Sequence, residues 1–576
     1  MDQQKRQLLA ITLSMGLVMV WMMFTTPNAP LSGVADAGVA SAAPLADGNA
    51  AAPVAVVPAA AEAAPVAAEL PKREVKRARA TTDFLFSSEG GALVGATLKG
   101  VKEREQVKVS ILEGYKMLFG AVPKRGPQMN LAMPAMDKPA PFSVSISGDS
   151  PLPASTRYEV VDEGSTDEKV LFRARKGPWL LEKTFSWSPQ GYGLTLDVTV
   201  TNTSAAAQTG ELGVHLWRSI DPEKEEAPSL FGGIGNQAMA VCSVADEVHR
   251  RTPDEKPPET FTGTLHYVAL DQQYFIAALY PLEKPEDGRC AVTVEPKARG
   301  SEAFFPVKLA AGEKHTYRFG GFAGPKDFEL LQTLNVAGLV HPGLESSVDY
   351  GWWAAICKLL LWIMKFFHGL TGNWGLSIIF LTMVAKIALL PLTHKAMVSA
   401  EAMKKLAPRL EEIKKKFPDD RERQGMETMK LYQESGANPI QGCLPLLLQF
   451  PIWGALFYAL RTSYDLYGEP FFGPIWLDLT YPDPTYLLPL ALGVTMIITQ
   501  RLQPQMTMDP MQAKLMTWVM PIVFTAMMMN YPAGLALYIF TNNLLSIAQQ
   551  YALRKYLARK DVSAPSNQLG KLRKST

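Results

Sequence analysis

A lysine stands inside the run LSIIFLTMVAKIALLPLT, residues 376–393, which otherwise has the length and composition of a membrane-crossing helix. A cation at that depth costs about 3 kcal/mol on insertion scales, so Lys386 needs an escape or a use. Lys386 lies nine residues before Lys395, where a basic loop begins. That spacing puts it about 13 Å inside the helix end at 1.5 Å per residue. Side chains lean toward the N-terminus of their helix, here away from the nearer water, so snorkelling serves it poorly. No Asp or Glu occurs between Glu434 and Asp465, between Asp483 and Asp509, or between Asp509 and Asp561. The apolar segments therefore offer no counter-ion. The chemistry that remains is electrostatic: an ammonium reached by water, meeting an anion that another molecule brings.

Other polar residues in apolar surroundings mark where water enters. Thr382 is one turn from Lys386, and Gln441 and Gln449 fall early in the next apolar segment. Thr499 and Gln500 come late in the following one, Thr517 early in the next, and Thr541, Asn542, Asn543 and Ser546 in the later part of the last. If the segments alternate in direction, all of these lie at one end, while PIWGALFYAL, YLLPLALGV and LALYIF form a greasy opposite end. The pattern predicts a groove open to one side of the membrane. Polar residues also act as glue between helices, and for about half of these that is the reading. Met506, Met508, Met511, Met516, Met520, Met527, Met528 and Met529 cluster nearby, as an adaptable client surface or as lipid-facing filler.

The elements that must position these residues are several. An apolar run at 8–24 follows Lys5 and Arg6 and reads as a retained anchor, 1–26, rather than a cleaved signal peptide. Residues 27–80 read as an Ala/Pro-rich flexible linker whose basic end, PKREVKRARA, is a solvated tether. From 81 to 350 the period is two, as in GLTLDVTVTN, and an antiparallel β-sandwich closed by the helical KDFELLQTLNVAGL is expected. Residues 351–372 carry Lys358, Lys365 and His368 as a polar stripe on a greasy helix, which suits one lying flat at the membrane surface. Spans are expected at 374–392, 440–460, 486–502, 515–530 and 535–553, and a basic tail covers 554–576.

Between the first two of these spans, 395–438 reads as a helical hairpin. Met403, Leu406, Leu410, Ile413 and Phe417 form its seam, Pro418 breaks it, and Asp419 or Asp420 caps the return helix. Met426 and Met429 face back, and Gly436 ends it. Loop charges set the orientation: the N-terminus, the Lys/Arg-rich hairpin and the tail fall inside. The loop 463–484, with acids and no Lys or Arg, falls outside with the β-domain. The expected architecture is a multi-domain, six-span α-helical membrane protein with both ends cytoplasmic.

Exclusions follow from composition. The net charge of +2 gives no sign of nucleic-acid binding, and no GxxxxGK[ST] loop is present for nucleotide. The cysteines lack zinc spacing, and nothing asks for a metal or cofactor. Cys242 and Cys290 can pair if their domain lies outside the cytoplasm; two separate buried thiols is the other reading, and the one expected here. A solute transporter is a rival, but no inverted repeat or coupling acid supports it. An enzyme in the β-domain is another; it offers His215, His249, His266 and His315 but no motif pairing a His with a Glu.

The stretches NWGLSIIFLTMVAKIALLPLT, NPIQGCLPLLLQFPIWGALFYAL, DPMQAKLMTWVMPIVFT and PAGLALYIFTNNLLSIAQQ resemble the YidC/Oxa/Alb family of membrane protein insertases. The anchor, the β-domain and VDYGWW resemble its Gram-negative YidC branch. The resemblance implies a monomeric, non-enzymatic inner-membrane insertase that receives ribosome-delivered nascent clients in the lipid bilayer, alone or beside the Sec translocon. It implies a periplasmic domain of β-supersandwich type and a cytoplasmic hairpin. Its functional centre, a positive charge in the second span, falls on Lys386, with groove positions at Thr382, Gln449, Tyr538 and Asn543. The family's usual residue at the charge is arginine. Lys386 departs from it, and an ammonium sheds its proton on dehydration far more readily than a guanidinium.

Overall fold

The computed structural model describes residues 70–103, 127–187, 191–222, 237–245, 247–251, 258–283, 288–334, 342–418, 420–435, 439–471, 476, 478–502 and 514–563. The expected anchor, most of the linker, the end of the basic tail, Asp419, Gly436, Met506, Met508 and Met511 lie outside these residues. The chain divides into two units, Met1–Lys72 and Arg73–Thr576, and every element below belongs to the second.

Its first part is β-structure in three antiparallel sheets. Four strands, Glu74–Ala78, Thr82–Ser87, Ala92–Lys102 and Gln128–Asn130, make the smallest. Glu259–Gly263, Gly288–Glu295, Ala298–Leu309, Gln208–Ser219 and Ser143–Gly148 pair in that order in a second. A nine-stranded sheet completes the set, with Lys314–Pro325, Gly193–Asn202 and Trp179–Ser186 near its middle. Alternation in the sequence is read directly by the fold: Leu194, Leu196, Val198 and Val200 are all buried, and the residues between them are not. Phe84, Phe86, Phe142, Phe172 and Phe185 fill the core between the sheets.

Two expectations are corrected here. The basic end of the linker is not a tether: Glu74–Ala78 is the edge strand of the four-stranded sheet, paired with Thr82–Ser87. Val75 buries its side chain while Lys76 stays exposed, and edge strands tolerate such charges because they discourage further pairing. Cys242 and Cys290 are joined in a disulfide. Cys242 belongs to the nine-stranded sheet and Cys290 to the five-stranded one, so the bond staples the sandwich across its core.

The helices are α1 Phe328–Gln332, α2 Ala354–Thr371, α3 Trp374–Lys405, α4 Ala407–Lys416, α5 Arg421–Ser435, α6 Pro439–Thr462, α7 Leu487–Leu502, α8 Met520–Met528 and α9 Ala533–Ser563. Gly372, in the left-handed region at φ 64°, ends α2 as expected. A π-turn, Leu515–Val519, precedes α8. Pro521 accounts for it, since a proline nitrogen cannot bond the carbonyl of Thr517 four residues earlier. Among the described residues two helical stretches, Gly351–Thr371 and Trp374–Ala396, are long and apolar enough to cross a membrane. The first of these was expected to lie flat. Two residues of its polar stripe face α1 at the end of the β-domain: Lys365 pairs with Glu329 of α1 at 2.9 Å, and also with Asp465 of the loop after α6 at 3.2 Å, and Lys358 lies over the Phe328 ring at 4.3 Å; the third, His368, stacks on Trp374 of α3.

The hairpin also differs in detail. α3 runs on past Leu392, through Pro391 to Lys405, and an additional break falls at Leu406, before Pro408 in the first turn of α4, which itself ends at Lys416 just ahead of Pro418. In the sequence Glu401 comes fifteen residues after Lys386, a spacing of about 22 Å at helical rise. Asp420 caps α5, accepting from the Arg423 backbone N–H at 3.0 Å. In the seam Leu410 is buried, with Leu406 and Ile413 half-buried. Met426 and Met429 point outward, exposed by 60% and 53%, and Leu431 takes the inner place. Gln424, Thr428 and Leu431 share the inner face at helical spacing, and the two methionines lie off it.

The β-domain meets the helices at the C-terminal end of α6. Its orphan carbonyls are taken by the β-domain: Tyr274 Oη donates to Leu460 O at 3.2 Å and Gln273 Nε2 to Arg461 O at 3.0 Å. Phe275 packs edge-on against Tyr464 and Tyr467 in the loop that follows.

Candidate functional site

Lys386 is half-buried on α3. Its Nζ donates to Ser546 Oγ of α9 at 2.7 Å. Among the described residues no carboxylate pairs with it, and Ser546 is its hydrogen-bond partner. Ser546 in turn donates its proton to Asn542 O one turn back, at 2.8 Å. The serine oxygen therefore meets the ammonium with a lone pair.

α9 is the spine of this region. Besides Ser546, Gln549 Nε2 donates to Thr393 Oγ1 of α3 at 2.8 Å. Asn543 Nδ2 reaches Thr495 Oγ1 of α7 at 3.4 Å, and Tyr538 is buried beside the Gln449 side chain of α6. Four polar positions on this one helix thus face three other helices, α3, α6 and α7. Thr382 is buried one turn from Lys386, but its hydroxyl donates to Ile378 O at 2.7 Å, within its own helix. Thr517 is buried in the π-turn, and Gln500 is half-buried on the last turn of α7 beside Arg501, whose guanidinium lies 4.8 Å over Trp518. Neither hydrogen-bonds Lys386. The predicted residues thus fall into one centre, Lys386 with α9, and several interhelical bonds around it.

The surroundings are apolar and outward-facing. Met383, Val384, Ile387 and Leu390 on α3, Val494 and Ile498 on α7, Ile522 and Val523 on α8, and Leu544 on α9 are exposed. So much exposed aliphatic surface belongs to a chain solvated by lipid. An ammonium with a single neutral partner, set in such a surface, can attract an anion and has no protein anion to release first.

Sequence reading named Ser546 as polar but did not join it to Lys386, and it missed Thr495, Thr393 and Gln549. Thr393 and Gln549 sit at the basic ends of their helices, where polarity is unremarked. The partners stand 160 and 156 residues apart, and no local pattern links them.

The β-domain does contain a His–Glu pair. His215 Nδ1 lies 2.5 Å from Glu302 Oε1 and its Nε2 2.8 Å from Ser145 Oγ, while Trp217 Nε1 donates to the same glutamate oxygen at 3.0 Å. Burial would raise the Glu302 carboxyl, but the bonds from His215 and Trp217 and the nearby charges hold it below the ordinary value. His215 and Glu302 are directly opposed across two strands, and His215 is buried. The arrangement is a cross-strand clamp.

Two family models match the chain: one described as the 60Kd inner membrane protein, over residues 366–560, and one as the YidC periplasmic domain, over 122–363. The chain is 35% identical to the membrane protein insertase YidC of Anaeromyxobacter dehalogenans (strain 2CP-C), covering 84% of this chain and 86% of that protein. It is 31% identical to the membrane protein insertase YidC of Cupriavidus metallidurans over 97% and 99% of the two chains. Among solved structures, that of an active YidC insertase with its first transmembrane domain resolved aligns over 83% of this chain and 92% of that one, at 19% identity and a TM-score of 0.36.

Proposed function

The chain belongs to the YidC family of membrane protein insertases, and from that premise we propose that it inserts its clients through a groove centred on Lys386. It is an inner-membrane protein with a periplasmic β-domain, and it is not an enzyme. The groove opens to the cytoplasm between α3, α6, α7, α8 and α9, lined by Lys386, Thr382, Gln449, Gln500, Thr517, Tyr538 and Asn543. The N-terminal anchor and these five helices make six spans, with both termini and the α4–α5 hairpin cytoplasmic. α2 lies at the periplasmic surface beneath the β-domain.

One observation carries the reading: the Lys386 ammonium has a single hydroxyl partner and no carboxylate among the described residues. In the proposed mechanism it attracts the acidic or polar tail of an incoming chain and shortens that tail's path through hydrocarbon. Burial of the client's apolar helix drives the step, at about 0.8 kcal/mol per CH₂. The membrane potential adds about 2.3 kcal/mol per negative charge moved outward per 100 mV. The hairpin, with Leu406, Leu410 and Ile413 in its seam, meets the ribosome or delivery factors, and the basic tail serves first as a topology signal and second as a further ribosome contact. The protein works as a monomer, alone or beside the Sec translocon.

The test is client insertion in a depletion strain complemented with Lys386→Arg, Lys386→Ala or Lys386→Glu. Arg should support insertion, Ala should weaken it and Glu should be worst. Equal activity for all three removes the electrostatic step.

A further inference from the structure

We propose that Ser546 is a positioning residue for Lys386, fixing where the ammonium presents its free donors to a client. The inference rests on the electrostatic reading above and deepens it.

A lysine side chain has several rotatable bonds, and an untethered ammonium in a groove would sample many positions. Here it is held at 2.7 Å from Ser546 Oγ. The serine is locked as an acceptor, because its own proton is committed to Asn542 O at 2.8 Å. One of the three ammonium N–H bonds is thereby used, and two remain. The Gln549–Thr393 bond, at 2.8 Å, ties the same two helices further along, so helix packing sets the lysine–serine spacing. Thr382 does not compete, since its hydroxyl is turned back to Ile378 O. A neutral hydroxyl suits this task. It fixes the cation without cancelling its charge, as a carboxylate at 546 would.

The experiment uses full-length protein in proteoliposomes of phosphatidylethanolamine and phosphatidylglycerol, with two single-span clients whose translocated tails differ only in carrying Asp or Asn. The readout is the ratio of their insertion, which a general loss of packing does not move. Ser546→Ala should lower the Asp-over-Asn ratio about tenfold, in keeping with loss of one charge-assisted hydrogen bond, whereas Ser546→Thr should restore it. Ser546→Asp, which supplies a counter-ion, should abolish the preference as fully as Lys386→Ala does. In the Lys386→Ala background, Ser546→Ala should change nothing further.

Equal losses for both clients, or a Ser546→Ala effect that persists without Lys386, would show a merely structural role and overturn the inference. An unchanged ratio in Ser546→Ala beside a collapsed one in Lys386→Ala would sink the inference alone. An unchanged ratio in Lys386→Ala would sink the electrostatic reading and this inference together.

Discussion

Two lysines, one in each half of the molecule, are held by their surroundings in opposite ways. Lys183 in the β-domain is fully buried, and its Nζ donates to three carbonyls, Gly90 O at 3.0 Å, Gly91 O at 2.5 Å and Phe142 O at 2.8 Å. The rings of Tyr158 and Phe185 flank it at 5.4 and 5.5 Å. Three donors meet three acceptors, and the set is closed. Lys386 has one acceptor and keeps two donors. Burial lowers the proton affinity of Lys183. What differs is what the satisfied set leaves over. A closed set ties strands together and offers a partner nothing; an open one holds a charge ready for a partner from outside.

Exchanging each lysine for methionine should separate the two roles. In Lys386→Met, insertion of acidic-tailed clients should fall about a hundredfold, the scale of one lost close charge contact, with thermal unfolding nearly unchanged. In Lys183→Met, three carbonyls lose their donor, and the β-domain should lose about 3 kcal/mol in an unfolding titration while insertion per folded molecule holds. A matching loss of insertion in both variants would erase the distinction.

Smaller effects sharpen the boundary between the halves. Tyr274→Phe removes the hydroxyl that takes the Leu460 carbonyl at the end of α6 and should cost about 1 kcal/mol in thermal unfolding. Lys365→Ala breaks two partly exposed ion pairs, to Glu329 and Asp465, and should cost less than about 1 kcal/mol, and less still in high salt. A larger loss from Lys365 than from Tyr274 would mean that charge, not helix-end capping, docks the β-domain.

What the sequence made legible was whatever a local rule governs. The buried face of GLTLDVTVTN follows from period two, and the Asp420 cap and the Gly372 stop follow from what helix ends demand. Lys386 stood out because its isolation from carboxylates is a property of the linear chain. Long-range facts were not legible. Ser546 meets Lys386 through helix packing, Cys242 meets Cys290 through sheet stacking, and His215 meets Glu302 through strand register. Glu74–Ala78 was masked by its own charges, which an edge strand permits. Met426 and Met429 misled because greasiness is not direction: the inner face of α5 is set by Leu431 and its helical neighbours.

The central claim is that solvent from one side alone reaches the Lys386 position. Its most direct measurement places a thiol there, as Lys386→Cys, with Cys357 and Cys443 changed to alanine and the Cys242–Cys290 bond left intact. A membrane-impermeant maleimide should label this thiol in inside-out inner-membrane vesicles and leave it unlabelled in intact spheroplasts. Labelling from the periplasmic side, or from neither side, would contradict a cytoplasm-open groove around this charge.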